Sequence, residues 1–186
     1  MYSKKSEGGK GSKMNFLEMI QQQLNKADAV LILTNEKTGE KKIIEGRNIV
    51  TDAGDVWYAQ KACGQTPTND FTSIYHATAG PATPAKDDDY SDFTVIAGSE
   101  KAVDGTYPMS PDTDAENTGD GNDIVSWRFQ HATSDGPFTD VTHSFISIAS
   151  ATGTDPILNS YKWAASWTKD TSTSAKIFTN HTMNGV

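Results

Sequence analysis

One cysteine, Cys63, in 186 residues excludes an intrachain disulfide framework and a CxxC metal site. Cohesion must come from packing or from neighbouring subunits, and Cys63 itself reads as a small buried apolar residue. No apolar run approaches the roughly 20 residues needed to cross a bilayer, and the first residues lack the apolar stretch that opens a signal peptide. The expectation is a soluble protein made in the cytoplasm. Catalytic spacing is missing as well: there is no HExxH, no GxSxG, no GxxxxGK[ST], and no GxGxxG after a strand. His76, His131, His143 and His181 stand far apart, and none has the spacing of a metal ligand set. Serine and histidine are both available, yet nothing in their spacing marks a triad, so no enzyme and no cofactor is expected.

Charge is present and unevenly distributed. Residues 1–13 carry Lys4, Lys5, Lys10 and Lys13 against Glu7 alone, which gives this arm +3 and leaves −11 for the rest of a chain whose formal charge is −8. A short basic, Gly/Ser-rich arm on an acidic body is either a solvated tail or a device for docking on an acidic surface. Next, Phe16, Ile20, Leu24 and Ala27 recur at four, four and three residues with Leu17 beside them, while Glu18, Gln21, Gln22 and Asn25 take the other face. This spacing predicts an amphipathic helix over Met14–Ala27. The domain organisation is then a flexible arm plus helix over 1–27 and one β-rich domain over 28–186, large enough to bury roughly 70% of its unfolded surface.

Within the body, Ala29–Thr34 and Lys42–Val50 are β-prone runs joined by a polar loop containing Gly39. Thr51-Asp52-Ala53-Gly54-Asp55 opens a predicted helix capped by Thr51, with Val56, Trp57, Gln60 and Cys63 on one side and Gly64 as the left-handed terminator. Phe71–Thr78 has strand composition, and Pro108–Asp123 reads as a long polar loop. Residues 123–186 show the strongest signal, four strands with period-two alternation. Val125, Trp127, Phe129 and His131 share one face of the first. Ile146 and Ile148 oppose Phe145 and Ser147 in the second. Tyr161, Trp163, Ala165 and Trp167 share a face in the third, as do Ile177, Thr179, His181 and Met183 in the fourth. The register is strongly specified, because a slip of one residue would turn Trp163 and Trp167 outward. The predicted fold class is mainly β, an antiparallel sandwich or barrel with one N-terminal amphipathic helix and one further short helix, its consecutive strands paired.

Asp112, Asp114, Glu116 and Asp120 place oxygens at alternating positions of the polar loop, which suits a hard cation. The EF-hand register is broken, since Asn117 stands at the sixth position and Asp123 at the twelfth, so a solvated or partner-contacting acidic loop is the competing reading. The same competition applies to Asp87, Asp88 and Asp89. His131 and His181 share faces with large apolar residues and read as core or interface histidines. Trp57, Trp127, Trp163 and Trp167 suit either a core or an aromatic platform for sugars. Asn180-His181-Thr182 matches a glycosylation sequon only by accident if no secretory signal is present.

Three stretches carry a family likeness. Arg47-Asn48-Ile49-Val50-Thr51-Asp52-Ala53-Gly54 with Trp57-Tyr58-Ala59, Ile124-Val125-Ser126-Trp127-Arg128, and the closing Phe178–Val186 together resemble segments of small virion structural proteins of tailed bacteriophages. The resemblance implies a non-enzymatic component that assembles in many copies on the particle: a capsid decoration or cement protein on the head shell, or a tail, neck or baseplate component. A glycan-binding module on the particle surface is the reading from another class. Its implied partners are the major capsid protein or other virion proteins and further copies of itself, with no membrane and with nucleic acid disfavoured. Its implied location is the virion, after synthesis in the host bacterial cytoplasm. In that role Lys4, Lys5, Lys10 and Lys13 would attract an acidic shell, and Phe16, Leu17, Ile20 and Leu24 would anchor by apolar contact.

Overall fold

The computed structural model describes residues 29–114, 116, 117 and 124–183. The predicted arm and the helix over Met14–Ala27 lie outside them. Strands β1 (Ala29–Asn35) and β2 (Lys41–Val50) form a hairpin. Its loop is held by the Asn35 side chain, which accepts from the backbone N–H groups of Lys37 and Thr38 at 3.0 and 3.1 Å, and Gly39 supplies the positive φ of 71° that the turn requires. Helix α1 (Asp52–Ala62) follows at once. Thr51 Oγ1 accepts from Gly54 N at 3.1 Å, Asp52 and Asp55 sit in the positive first turn, and Gly64 ends the run at φ 69°, all as the sequence predicts.

The remaining elements are β3 (Phe71–Ala79), a one-turn 3₁₀ helix (Tyr90–Asp92), the two-residue β4 (Thr94–Val95) and β5 (Lys101–Ala102), then β6 (Ile124–His131), β7 (Phe138–Ile148), β8 (Ile157–Lys169) and β9 (Thr173–Thr182). All join one antiparallel sheet in the order β4, β3, β7, β8, β2, β1, β9, β6, with β5 paired to β3. The sheet curls into a half-barrel around its own apolar face. The four C-terminal strands exist where the alternation places them, but only β7 and β8 pair as consecutive neighbours. The β1–β2 hairpin inserts between β8 and β9, with β2 on β8 and β1 on β9, so β6 pairs with β9 and not with β7.

The concave face is the core, and most inward positions read from the sequence are buried: Trp127, Phe129, Trp163, Trp167 and Ile177 are all at most 4% exposed, whereas Ala165 and, at the end of the described chain, Met183 are exposed. Helix α1 closes one end. Trp57 reaches inward against Trp127 and Phe71, with ring centroids 5.6 and 6.4 Å apart. The helix side predicted from spacing needs correction, since Val56 is 56% exposed and Cys63 is exposed rather than buried. The reason lies in how close the helix sits to the sheet. It leans on β8 through Gly54 and Trp57, with Ala53 and Tyr58 partly buried beside them, and Val56, Gln60 and Cys63 fall on the adjacent stripe. Smaller apolar clusters lie on the convex face, where Tyr75, Ala77, Phe93 and Phe145 pack together and Val30, Ile32 and Phe178 form another group.

The two ends of the sheet path approach one another. Residues 101–109 run between them as a strap: β5 pairs with β3, Val103 N donates to Thr72 O at 2.7 Å, Asp104 N donates to Arg128 O of β6 at 2.9 Å, and Met109 bridges Ser126.

The close approach of α1 to β8 gives a direct test. A Cβ on Gly54 would stand 2.1 Å from Leu158 O, a backbone atom that cannot step aside. Gly54→Ala is expected to lower stability by about 3 kcal/mol or more, whereas Val56→Ala on the exposed stripe should change it by less than about 0.5 kcal/mol. Urea unfolding of the two variants checks this.

Candidate functional site

Two hydrogen-bonded polar chains run through the aromatic interior. In the first, Trp163 Nε1 donates to Ser144 Oγ at 2.9 Å, Ser144 Oγ lies 2.8 Å from His76 Nδ1, and His76 Nε2 lies 2.8 Å from His131 Nε2. Asp135 Oδ2 stands 3.8 Å from His131 Nδ1 and is paired with Lys101 Nζ at 2.7 Å. Strand alternation aims Ser144, His76 and His131 inward from β7, β3 and β6, and none is more than 2% exposed. The Asp135 carboxylate sets the tautomers: it favours Nδ1–H on His131, so the neutral His131 accepts at Nε2 from His76 Nε2–H, and His76 Nδ1 accepts from Ser144, whose oxygen takes the Trp163 indole N–H. A serine, two imidazoles and a carboxylate in series resemble a nucleophile relay in composition, but Ser144 is fully buried, so no substrate can reach it.

In the second chain, Trp127 Nε1 donates to Tyr58 Oη at 3.0 Å, Tyr58 Oη contacts His181 Nδ1, and Asn159 Nδ2 lies 2.9 Å from His181 Nε2. Nearby, Thr179 Oγ1 donates to Tyr161 Oη at 2.9 Å. Burial pushes the imidazole of His181 down to about 3 and that of His131 down to about 4. It drives His76 well below the ordinary value, with His131 beside it adding to the effect. Burial also raises the Tyr58 and Tyr161 hydroxyls above their usual range. These groups are held neutral. His143, also buried, donates from Nε2 to Pro81 O at 3.0 Å.

The described residues of the predicted acidic loop, 112–114, 116 and 117, lie over the convex face of β6 and β9. Asp112 accepts from Tyr107 Oη at 2.6 Å and from Asp114 N at 2.9 Å. Arg128 stacks 4.6 Å from the Tyr107 ring centroid and donates to Asp104 at 2.9 Å and Asp114 at 2.5 Å. Glu116 pairs with Lys176 and, at 3.2 Å, with Lys41. Burial works to raise the Asp114 and Glu116 carboxyls. It is outweighed by the Glu116 N–H and Arg128 guanidinium on Asp114, and by the two lysines on Glu116, so both end below the usual range. The structure thus turns Asp112, Asp114 and Glu116 toward donors and cations of the protein itself, while Asp120 lies outside the described residues. Among the described residues no group of three or more His, Cys, Asp or Glu is placed to hold a metal ion. In the other acidic run, Asp88 accepts from Ala85 N and Ser160 Oγ, and Asp89 caps the 3₁₀ turn.

Lys4, Lys5, Lys10, Lys13, Phe16, Leu17, Ile20 and Leu24 also lie outside the described residues. All four tryptophans are buried, so none offers an open face to a sugar. Spacing along the chain gave no sign of the His76–His131 contact or of the part played by Ser144 and Asp135, because their strands are joined only through non-local pairing. The available clue was that His76 alternates in phase with Ile74, an apolar position. Spacing also missed an open hollow of about 660 Å³ on the convex face, where Glu45, Arg47 and Lys162 surround Gly46 and Trp163 and Ala82–Pro84 form a wall. Comparison with known proteins returns no match among family models, curated proteins or solved structures.

The neutral histidines set the pH response. In the unfolded chain they take up protons as the pH drops below about 6.5, but the folded chain resists until the lower values above. Stability should therefore be full above about pH 6.5 and decline toward pH 4, with His131 alone worth on the order of 3 kcal/mol. Urea unfolding across that range measures it, and a flat profile would contradict the neutral, sealed assignment.

Proposed function

We propose that this chain is a non-enzymatic structural protein of a tailed-phage virion, a capsid decoration or cement protein that binds and stabilises the head shell. The observation that carries this reading is the sealing of the interior. The serine and histidines with acid–base capability are buried, hydrogen-bonded to one another and kept neutral, so the described body offers its partners surface and rigidity rather than reactivity. In this reading the half-barrel acts as a barrel, with the 101–109 strap as its closing stave, which leaves no long free strand edge for unintended pairing.

The family-like stretches support the same reading by their positions in the fold. Arg47–Ala59 turns β2 into α1, Ile124–Arg128 lies in β6, and Phe178–Thr182 lies in β9, so they fall on the framework. The basic residues Lys4, Lys5, Lys10 and Lys13 supply long-range attraction to an acidic shell, and Phe16, Leu17, Ile20 and Leu24 supply apolar anchoring. Multiplicity on a symmetric particle turns weak single contacts into firm attachment.

Deleting residues 1–27 is expected to leave a folded body that no longer attaches to purified particles, scored by co-sedimentation. Undiminished attachment would overturn the anchoring role. Counting copies per particle separates the shell from other locations: on the order of hundreds fits decoration of the head, whereas about a dozen or fewer would place the protein in the tail, neck or baseplate and overturn the shell assignment.

A further inference from the structure

The seam between β3 and β6 is closed by polar contacts rather than by a ladder of its own. Across it run the His76–His131 bond at 2.8 Å, the Lys101–Asp135 pair at 2.7 Å, and Asp104, which donates from its backbone N–H to Arg128 O and accepts on Oδ2 from Arg128 Nε at 2.9 Å and Gln130 Nε2 at 2.7 Å. The long strands of the sheet are held by five- to eight-residue registers, as between β2 and β8 or β6 and β9, whereas β5 pairs with β3 at two positions. We propose that this seam is an acid-operated latch, opened by double protonation of the His76–His131 pair while the rest of the sheet stays paired.

The donor chain explains why two protons are needed. One added proton is accommodated by reversing it: His131 Nε2–H donates to His76 Nε2, His76 Nδ1–H donates to Ser144 Oγ, and that oxygen still accepts from Trp163. With a second proton, two N–H groups point at each other across 2.8 Å and two positive charges share a site closed to water. The groups facing the pair set its response. Asp135 favours a charge on His131, while Lys101 and Lys169 oppose it. Around His76 are His131, Ser144 and the rings of Phe138 and Trp167, none of which offers a compensating negative charge. Lys169 is fully buried, with its Nζ on the carbonyls of Thr133, Asp135 and Asp170, so it keeps the turn between β6 and β7 in place when the latch releases.

Amide hydrogen exchange of the full chain, stepped from neutral to acid pH and corrected for intrinsic rates, tests the latch. The expected result is a rise of about ten-fold or more confined to residues 99–110, β3 and β6, at a pH where β1, β2 and β8 remain protected. His131→Gln, which cannot charge, should move the opening to lower pH. Asp135→Asn provides a second reading that does not depend on that variant folding well. Without the carboxylate His131 resists its proton, so the seam should open at lower pH, whereas a purely structural loss of the Lys101 pair would open it at higher pH. Simultaneous loss of protection in all strands, an unchanged opening pH in His131→Gln, or an upward shift in Asp135→Asn would each overturn the latch.

Discussion

Packing of large rings against one concave face is the interaction on which the rest of the structure depends. Trp127, Trp163 and Trp167 arrive from β6 and β8, Trp57 from α1, and Phe71 and Phe138 from β3 and β7, and all are nearly or fully buried. Rings of this size are removed from water only if the sheet curls around them, because a flat sheet would leave that face half exposed. The curl in turn brings β3 and β6, far apart along the sheet path, close enough for His76 to touch His131. The polar chains of the interior are therefore a consequence of the aromatic core and not a separate device.

Most polar groups admitted to this core are paired in series, while the indole N–H groups of Trp57 and Trp167 and Nδ1 of His131 make no hydrogen bond among the described residues. Two tryptophans supply the starting donors, Trp163 to Ser144 and Trp127 to Tyr58, and the chains run on to His131 in one case and through His181 to Asn159 in the other. A buried hydroxyl or imidazole without a partner costs a few kcal/mol, so each member of the series is tied to the next by the need to avoid that penalty. The same economy governs the convex face. Arg128, Lys41 and Lys176 neutralise Asp104, Asp114 and Glu116 there, which ties this part of the polar loop to β6 and β9.

Much of this was legible in the chain. Alternation gave the inward faces of β6, β8 and β9, including His131 and His181, because one slip would have turned their rings outward. Thr51, Gly39 and Gly64 marked their cap and turns through local chemistry that needs no tertiary information. The strand order was not legible, since nothing local says that the β1–β2 hairpin separates β8 from β9. Cys63 was misplaced because helical spacing gives the stripes of α1 but not which stripe β8 selects, and Gly54 decided that by permitting the close approach to Leu158. Lys169 carries no signal in the sequence, and the carbonyls of Thr133, Asp135 and Asp170 explain how its ammonium is buried. Its Nζ is shifted down by burial, an effect partly offset by Asp135 and Asp170.

The sealed aromatic interior is the claim from which both the proposed structural role and the proposed latch follow. Tryptophan emission of the intact chain at neutral pH, with iodide as quencher, tests it most directly. A blue-shifted emission that iodide leaves almost unchanged is the predicted result. A red-shifted emission readily quenched by iodide would mean that water and solutes enter the concave face, and would contradict the account.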